Sequence, residues 1–154
     1  MNSNAWKTIK SDTVIESGYV TIRKDKVELP DDAVIDDFYT IKIQYAAMIV
    51  AMTADGQILL KSEYRYACKT DVIECPAGMV ENGEDPLTTA KRDLLEETGY
   101  ESDSWTYLCP TWESTSKLTN TMHLFLAKDC RKVSDQHLDL NEHMDVMIVP
   151  FTMQ

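Results

Sequence analysis

Three carboxylates, Asp93, Glu96 and Glu97, stand at i, i+3 and i+4 in a segment of helical periodicity. That spacing puts them on one face, within about 100° of arc. Like charges so placed repel, an i,i+4 acidic pair costing roughly a few tenths of a kcal/mol. They also fall near the helix C-terminus, where the dipole disfavours anions. A helix arranged this badly for its own stability is expected where a divalent cation sits among the carboxylates. A solvated acidic helix end is the plainer meaning of the same run. Arg92 lies one turn before Glu96 and is placed to hold that carboxylate. Ahead of the helix runs Gly78-Met79-Val80-Glu81-Asn82-Gly83-Glu84, with seven residues between Glu84 and Arg92.

The element that must position these groups is well marked. A helix is predicted from Pro86 to Thr98, with Asp85 as N-cap, Pro86 at the favoured first position and Gly99 as the stop. Leu87, Ala90 and Leu94 form a neighbouring apolar stripe suited to docking on a sheet. Strands are predicted around it. Tyr19–Arg23 and Lys26–Leu29 are short alternating runs, and Phe38–Met52 reads as one long strand. Ala54-Asp55-Gly56 turns it into Gln57–Lys61, and Val72–Cys75 follows. After the helix come Trp105–Leu108, Thr121–Ala127 and Val146–Phe151. The pattern is mixed α/β, sheet-rich, a single domain over 1–154 whose residues 1–40 form a strand-rich N-terminal section.

Composition narrows the classes. The chain has 154 residues, 15 basic and 26 acidic, with net charge −11. That balance works against nucleic-acid binding, because phosphate backbones select Lys/Arg-rich faces. It leaves room for a small phosphate-bearing molecule, since a bound divalent cation reverses the local field. Apolar residues at 44% and charged residues at 27% describe a folded chain with a core. The longest apolar run, Tyr45–Met52, is less than half a membrane span, and the N-terminus lacks a signal-peptide pattern. A cytoplasmic protein with no membrane partner is expected. Cys68, Cys75, Cys109 and Cys130 show no zinc spacing and read as reduced thiols.

The segment from Gly78 to Tyr100 resembles the box of the Nudix hydrolase family, G-x₅-E-x₇-R-E-U-x-E-E-x-G-U, where U is bulky and apolar. Gly78, Glu84, Arg92, Glu96, Glu97 and Gly99 match in register, with Leu94 and Tyr100 at the apolar positions. Asp93 stands where the family has Glu. Aspartate is shorter by one C–C bond, about 1.5 Å, and Mg²⁺ tolerates little error in its bonds. Either the helix sits closer, a water bridges, or the site is weakened. Ser62-Glu63-Tyr64-Arg65 and Glu74-Cys75-Pro76-Ala77-Gly78 are similar to the ADP-ribose/ADP-sugar pyrophosphatase branch. Departures from the branch are Thr115 in the loop after the box and Asn120 just ahead of His123-Leu124-Phe125-Leu126-Ala127.

The resemblance implies a Nudix-type α/β/α sandwich with a mixed sheet and N-terminal antiparallel strands, the usual C-terminal helix being absent. It implies Mg²⁺, with Mn²⁺ as the substitute, held by Asp93, Glu96, Glu97 and the Ala77 carbonyl. Arg92 and Glu96 would serve catalysis, and Glu142 would activate the attacking water, with Glu113 as the other candidate base. Arg65 and Glu74 would contact substrate, Lys117 would reach a phosphate, and Phe38 would stack on a nucleobase. His123 and His143 read as packing and loop residues. A homodimer through the N-terminal strands is implied. The expected reaction is hydrolysis of a nucleoside diphosphate-sugar, ADP-ribose first, to nucleoside monophosphate and phosphosugar. The alternatives are a nucleotide-binding or sensor domain with little hydrolysis, or an enzyme for GDP-sugars, dinucleotides or dinucleoside polyphosphates.

Overall fold

In the computed structural model, which describes residues 4–151, the alternating N-terminal runs form three antiparallel strands. They are β1 (Lys7–Glu16), β2 (Thr21–Glu28) and β3 (Val34–Lys42), paired in the order β1-β2-β3. The two runs predicted at Tyr19–Arg23 and Lys26–Leu29 are one strand, β2, with a bulge between Asp25 and Val27 in its pairing to β3. β1 escaped the pattern because it is exposed along its whole length and so need not alternate. These strands and the segment Trp112–Thr121 make one of two compact units. Within it the Ile41 amide donates to the Lys117 carbonyl at 2.8 Å, and the Thr119 amide donates to the Ile41 carbonyl at 2.9 Å.

Phe38–Met52, expected as a single strand, is two. Phe38–Lys42 completes β3, residues 43–45 are irregular, and β4 (Ala46–Thr53) belongs to the other unit. A β-branched and aromatic run without Gly or Pro carries no mark of where the chain changes sheets. The backbone partners on either side decide it.

The second unit comprises Tyr45–Thr111 and the chain from Met122 onward. Its eight-stranded sheet adds β5 (Gln57–Arg65), β6 (Thr70–Glu74), β7 (Ala77–Met79), β8 (Tyr100–Glu101), β9 (Ser104–Thr111), β10 (Met122–Lys132) and β11 (Met144–Pro150). The central order is β11-β5-β4-β10-β8, with β6 on β5, β7 on β4 and β9 on β10. β4 and β10 run parallel and the other pairs antiparallel, so the sheet is mixed as expected. The predicted turn at Ala54-Asp55-Gly56 is present, with Gly56 at φ 79° in the left-handed region.

Helix α1 (Pro86–Thr98) has the predicted ends. Asp85 accepts from the Leu87 and Thr88 amides at 3.1 and 3.3 Å. Gly99 closes the helix at φ 74°, its amide donating to Leu95. A Cβ on Gly99 would also stand 2.2 Å from the Ser134 carbonyl oxygen, so glycine is required there twice over. α1 is the one α-helix among the described residues, and none of those residues forms a helix long and apolar enough to cross a membrane. Ala90 and Leu94 join Ala47, Ile49, Ala51, Leu59, Val80, Phe125 and Ala127 in the core, with Leu87 at its margin. The face that α1 buries also carries Asp93 and Glu97, so packing draws two carboxylates inward while Glu96 stays half-exposed.

Candidate active site

The loop before α1 and the helix are fastened together by Arg92. Its Nη1 donates to Glu84 at 2.6 Å, its Nη2 to the Met79 carbonyl at 3.4 Å and its Nε to Asp93 at 3.4 Å. Glu96, the partner expected from the sequence, is 3.8 Å away, an ion pair without a hydrogen bond. Glu84 also accepts from the Thr89 hydroxyl at 2.7 Å, and these two donors hold its carboxyl below the usual carboxylate range. Arg92 and Glu84 therefore form a clip between loop and helix, with the planar guanidinium spanning several acceptors at once.

The clip brings Gly78 against Asp93. A Cβ at position 78 would lie 1.8 Å from Asp93 Oδ2, so only glycine admits the carboxylate. Asp93 is buried and its Oδ2 has no hydrogen-bond partner. Burial pushes its pKa up to about 6, opposed by Arg92 and assisted by Glu96 and Glu84. A buried oxygen of this kind, next to a half-exposed second carboxylate, matches the hard donors a divalent metal ion takes. Asp93 and Glu96 fit such an ion.

Glu97 is placed differently. Its Oε1 bonds the Lys61 ammonium, and its Oε2 accepts from the Ala77 amide at 3.1 Å. Burial pushes Glu97 up to about 7, with Lys61 and the Ala77 amide pulling the other way. Ala77 thus meets Glu97 through its N–H. Among the described residues no three acidic, His or Cys side chains are gathered as a cage.

Arg65 and Glu74, both expected at substrate, pair with each other. Arg65 Nε and Nη2 donate to the two Glu74 oxygens at 2.9 and 2.6 Å, and Nη1 donates to Glu63 at 3.1 Å. The Arg65 bonds hold the Glu74 carboxyl below its ordinary range. Glu63 stands 3.6 Å from Lys61, so the charges run without a break from Glu97 through Lys61, Glu63 and Arg65 to Glu74. Lys61 was not singled out from the sequence, whereas Glu63 was named as a partner for Arg65 and is one. The signal was there: Lys61, Glu63 and Arg65 alternate along β5 and share one face, but the predicted strand stopped at Lys61.

Glu142 lies in the turn before β11, its Oε2 accepting from the Asp139 amide at 3.0 Å. It precedes by two residues Met144, which stands opposite Glu63 in the β11–β5 ladder. Glu113 is in the segment of the other unit. In that unit Lys117 Nζ sits 4.3 Å from the Phe38 ring centroid, and Trp6 meets the same ring edge-on at 5.4 Å. Phe38 and Lys117 are thus brought together. Asn120 is buried there with neither side-chain polar atom bonded. His123 bonds the Tyr107 hydroxyl at 3.2 Å, and the four cysteines are free thiols.

Comparison with known proteins decides the family, because a NUDIX domain model matches residues 42–153. The chain belongs to the Nudix family. Ahead of that stretch, residues 6–41 of this Nudix protein match the nucleoside diphosphate sugar hydrolase N-terminal domain. An ADP-ribose pyrophosphatase of Bacillus subtilis (strain 168) is 30% identical over 150 residues, covering 97% of this chain and 80% of its own. A methanol dehydrogenase activator of Bacillus methanolicus is 32% identical over 142 residues, covering 92% and 76%. A solved structure described as an ADP compounds hydrolase matches with TM-score 0.77 at 21% identity, covering 94% of this chain and 78% of that one. That likeness shows the Nudix fold with its antiparallel N-terminal sheet.

Proposed function

We propose that this Nudix protein is a pyrophosphohydrolase that cleaves the diphosphate of a nucleoside diphosphate-sugar, with ADP-ribose as leading substrate. The products are a nucleoside monophosphate and a phosphosugar. The observation that carries the reading is the unpartnered, buried Asp93 oxygen held against Gly78 by the Arg92–Glu84 clip. Its substrate class is supported by the nucleoside diphosphate sugar hydrolase N-terminal domain and the ADP-ribose pyrophosphatase relatives.

Asp93, Glu96, Glu97 and the Ala77 carbonyl would hold a divalent metal ion, Mg²⁺ with Mn²⁺ as substitute. Such an ion neutralises diphosphate oxygens and lowers the pKa of a bound water. Arg92 keeps the loop and helix in register so that Asp93 and Glu96 stay in place. Arg65 has three of its five N–H donors on Glu74 and Glu63, which leaves two for a phosphate oxygen. Glu142 accepts the proton of the attacking water, Glu113 remaining the second candidate. Phe38 offers a ring to a nucleobase, and Lys117, on that ring, offers a cation to phosphate. The net charge of −11 supports a small-molecule substrate and no nucleic acid. We assign the protein to the cytoplasm, and to a homodimer through the N-terminal strands, where β1 leaves Ile9, Val14 and Ile15 exposed.

The test is chromatography of products after incubating the chain with ADP-ribose, once with Mg²⁺ and once with EDTA. GDP-mannose, NADH and a diadenosine polyphosphate run in parallel. Metal-dependent AMP and ribose 5-phosphate are expected. A folded protein that yields no product from any of the four refutes the enzyme. A binding domain with little hydrolysis is then the reading left, and the engagement of Glu97 by Lys61 is the observation that favours it.

A further inference from the structure

The C-terminal end of α1 is capped from outside the helix. The last carbonyls of a helix have no partner within it, and here the final turn carries Glu96 and Glu97 and no basic residue. Donors come from the connection between β10 and β11, residues 133–143. The Val133 and Ser134 amides donate to the Gly99 carbonyl at 2.9 and 3.2 Å, and the His137 amide donates to the Glu96 carbonyl at 2.8 Å. Gln136 spans further. Its side-chain Nε2 donates to the Glu97 carbonyl at 2.7 Å and to the Met144 carbonyl at 3.3 Å. A carboxamide NH₂ has two hydrogens, and here one faces the helix and the other the first residue of β11. Glu142 lies between these anchors. Its amide donates to the Asp139 carbonyl at 2.9 Å, and its Oε2 accepts from the Asp139 amide at 3.0 Å. Those two bonds shape the turn without tying it to α1. Met144, beyond the turn, is buried and stands in the ladder opposite Glu63.

We infer that Gln136 is a positioning residue that clamps the loop bearing Glu142 to the C-terminal end of α1, fixing the base relative to the helix carboxylates. The inference rests on the proposed function in taking Glu142 as the base. A base works only within hydrogen-bond reach of the water it activates, and a displacement of about 1 Å is enough to lose most of the rate. The His137 amide holds the entry of the loop to the helix, and Gln136 holds its exit as well. One side chain therefore sets the separation between the element that carries Glu96 and Glu97 and the turn that carries Glu142.

The experiment is steady-state hydrolysis of ADP-ribose by the full chain, with Mn²⁺ titration and amide hydrogen exchange on the same proteins. The variants are Gln136→Leu, Gln136→Lys, Glu142→Gln and the double change of Gln136→Leu with Glu142→Gln. Gln136→Leu is expected to lower kcat about tenfold or more, with KM and the Mn²⁺ dissociation constant within about twofold of the unaltered chain. Gln136→Lys keeps a donor at the helix C-terminus and is expected to recover most of that loss. On top of Glu142→Gln, the Leu change is expected to cost less than about twofold more, because an absent base cannot be misplaced. Exchange of the Asp139 and Glu142 amides is expected to quicken in Gln136→Leu while that of α1 stays slow. Equal losses with and without Glu142, or Mn²⁺ affinity that falls in step with kcat, would make Gln136 a general prop of α1 and overturn the inference. So would a Gln136→Lys variant as slow as Gln136→Leu. Undiminished kcat in Glu142→Gln overturns it too, while leaving the hydrolase standing. If the unaltered chain hydrolyses nothing, the proposed function fails separately and exchange decides: quickened exchange at residues 139–142 keeps the clamp, and unchanged exchange removes it. Should Gln136→Leu not fold, Gln136→Glu, of the same size and without a donor, takes its place.

Discussion

Asp93 is the residue at which burial, charge and backbone meet. Its carboxyl is packed over Gly78, paired only at one oxygen, and raised to about 6 by desolvation. The folded metal-free chain therefore holds this proton more tightly than the unfolded chain, whose Asp titrates near 3.8. Between those values native Asp93 binds more protons than unfolded Asp93, so its own contribution to stability falls as pH rises and levels off above about 6. After discounting for residual solvent contact, the contribution is on the order of 1–2 kcal/mol. Urea unfolding of metal-free protein at pH 4.5 and pH 7.5 measures it. Asp93→Asn is expected to lower the pH dependence by about that amount; an unaltered slope would show that Asp93 titrates normally.

At the scale of elements, α1 is held by packing more than by its ends. Leu94 is fully buried in the core, whereas Asp85 supplies an exposed N-cap. Leu94→Ala is expected to cost about 2–5 kcal/mol, by lost transfer energy and a cavity. Asp85→Ala is expected to cost about 1 kcal/mol. Denaturant melts of the two variants rank them, and equal costs would mean that α1 does not depend on its sheet. The caps of this helix were legible in the sequence because Asp-Pro and Gly act within a turn of where they stand. The face it buries was not. Leu87, Ala90 and Leu94 marked an apolar stripe, but the orientation that also buries Asp93 and Glu97 depends on Gly78 and Lys61, which come from β7 and β5.

For the whole molecule, the open question is assembly. β1 is exposed throughout, with three large apolar side chains on it, Ile9, Val14 and Ile15. A second copy that covers this strand would remove those residues from water and pair an otherwise open sheet edge. Sedimentation velocity is expected to give twice the chain mass, and Ile9→Glu with Ile15→Glu is expected to give monomer with unchanged circular dichroism. A monomeric unaltered chain would refute the dimer. The charge of −11 keeps such a protein soluble while repelling polyanions, so added salt should not release any nucleic acid from it.

Local chemistry is what the sequence determined by itself. The helix ends, the Ala54-Asp55-Gly56 turn, the mixed α/β class and the Nudix box from Gly78 to Tyr100 all rest on residues close together along the chain. Periodicity and turn chemistry act over a few residues, which is why the helix ends, the turn and the class could be read before any fold was known, while the box was read from its resemblance to the family's. Tertiary structure alone decided the split of Phe38–Met52 between two sheets, the pairing of Arg65 with Glu74, and the capture of Glu97 by Lys61, 36 positions away in the chain. Each of these depends on which strands become neighbours. A side chain's charge partner is set by distance in space, and that distance exists only once the sheet has assembled.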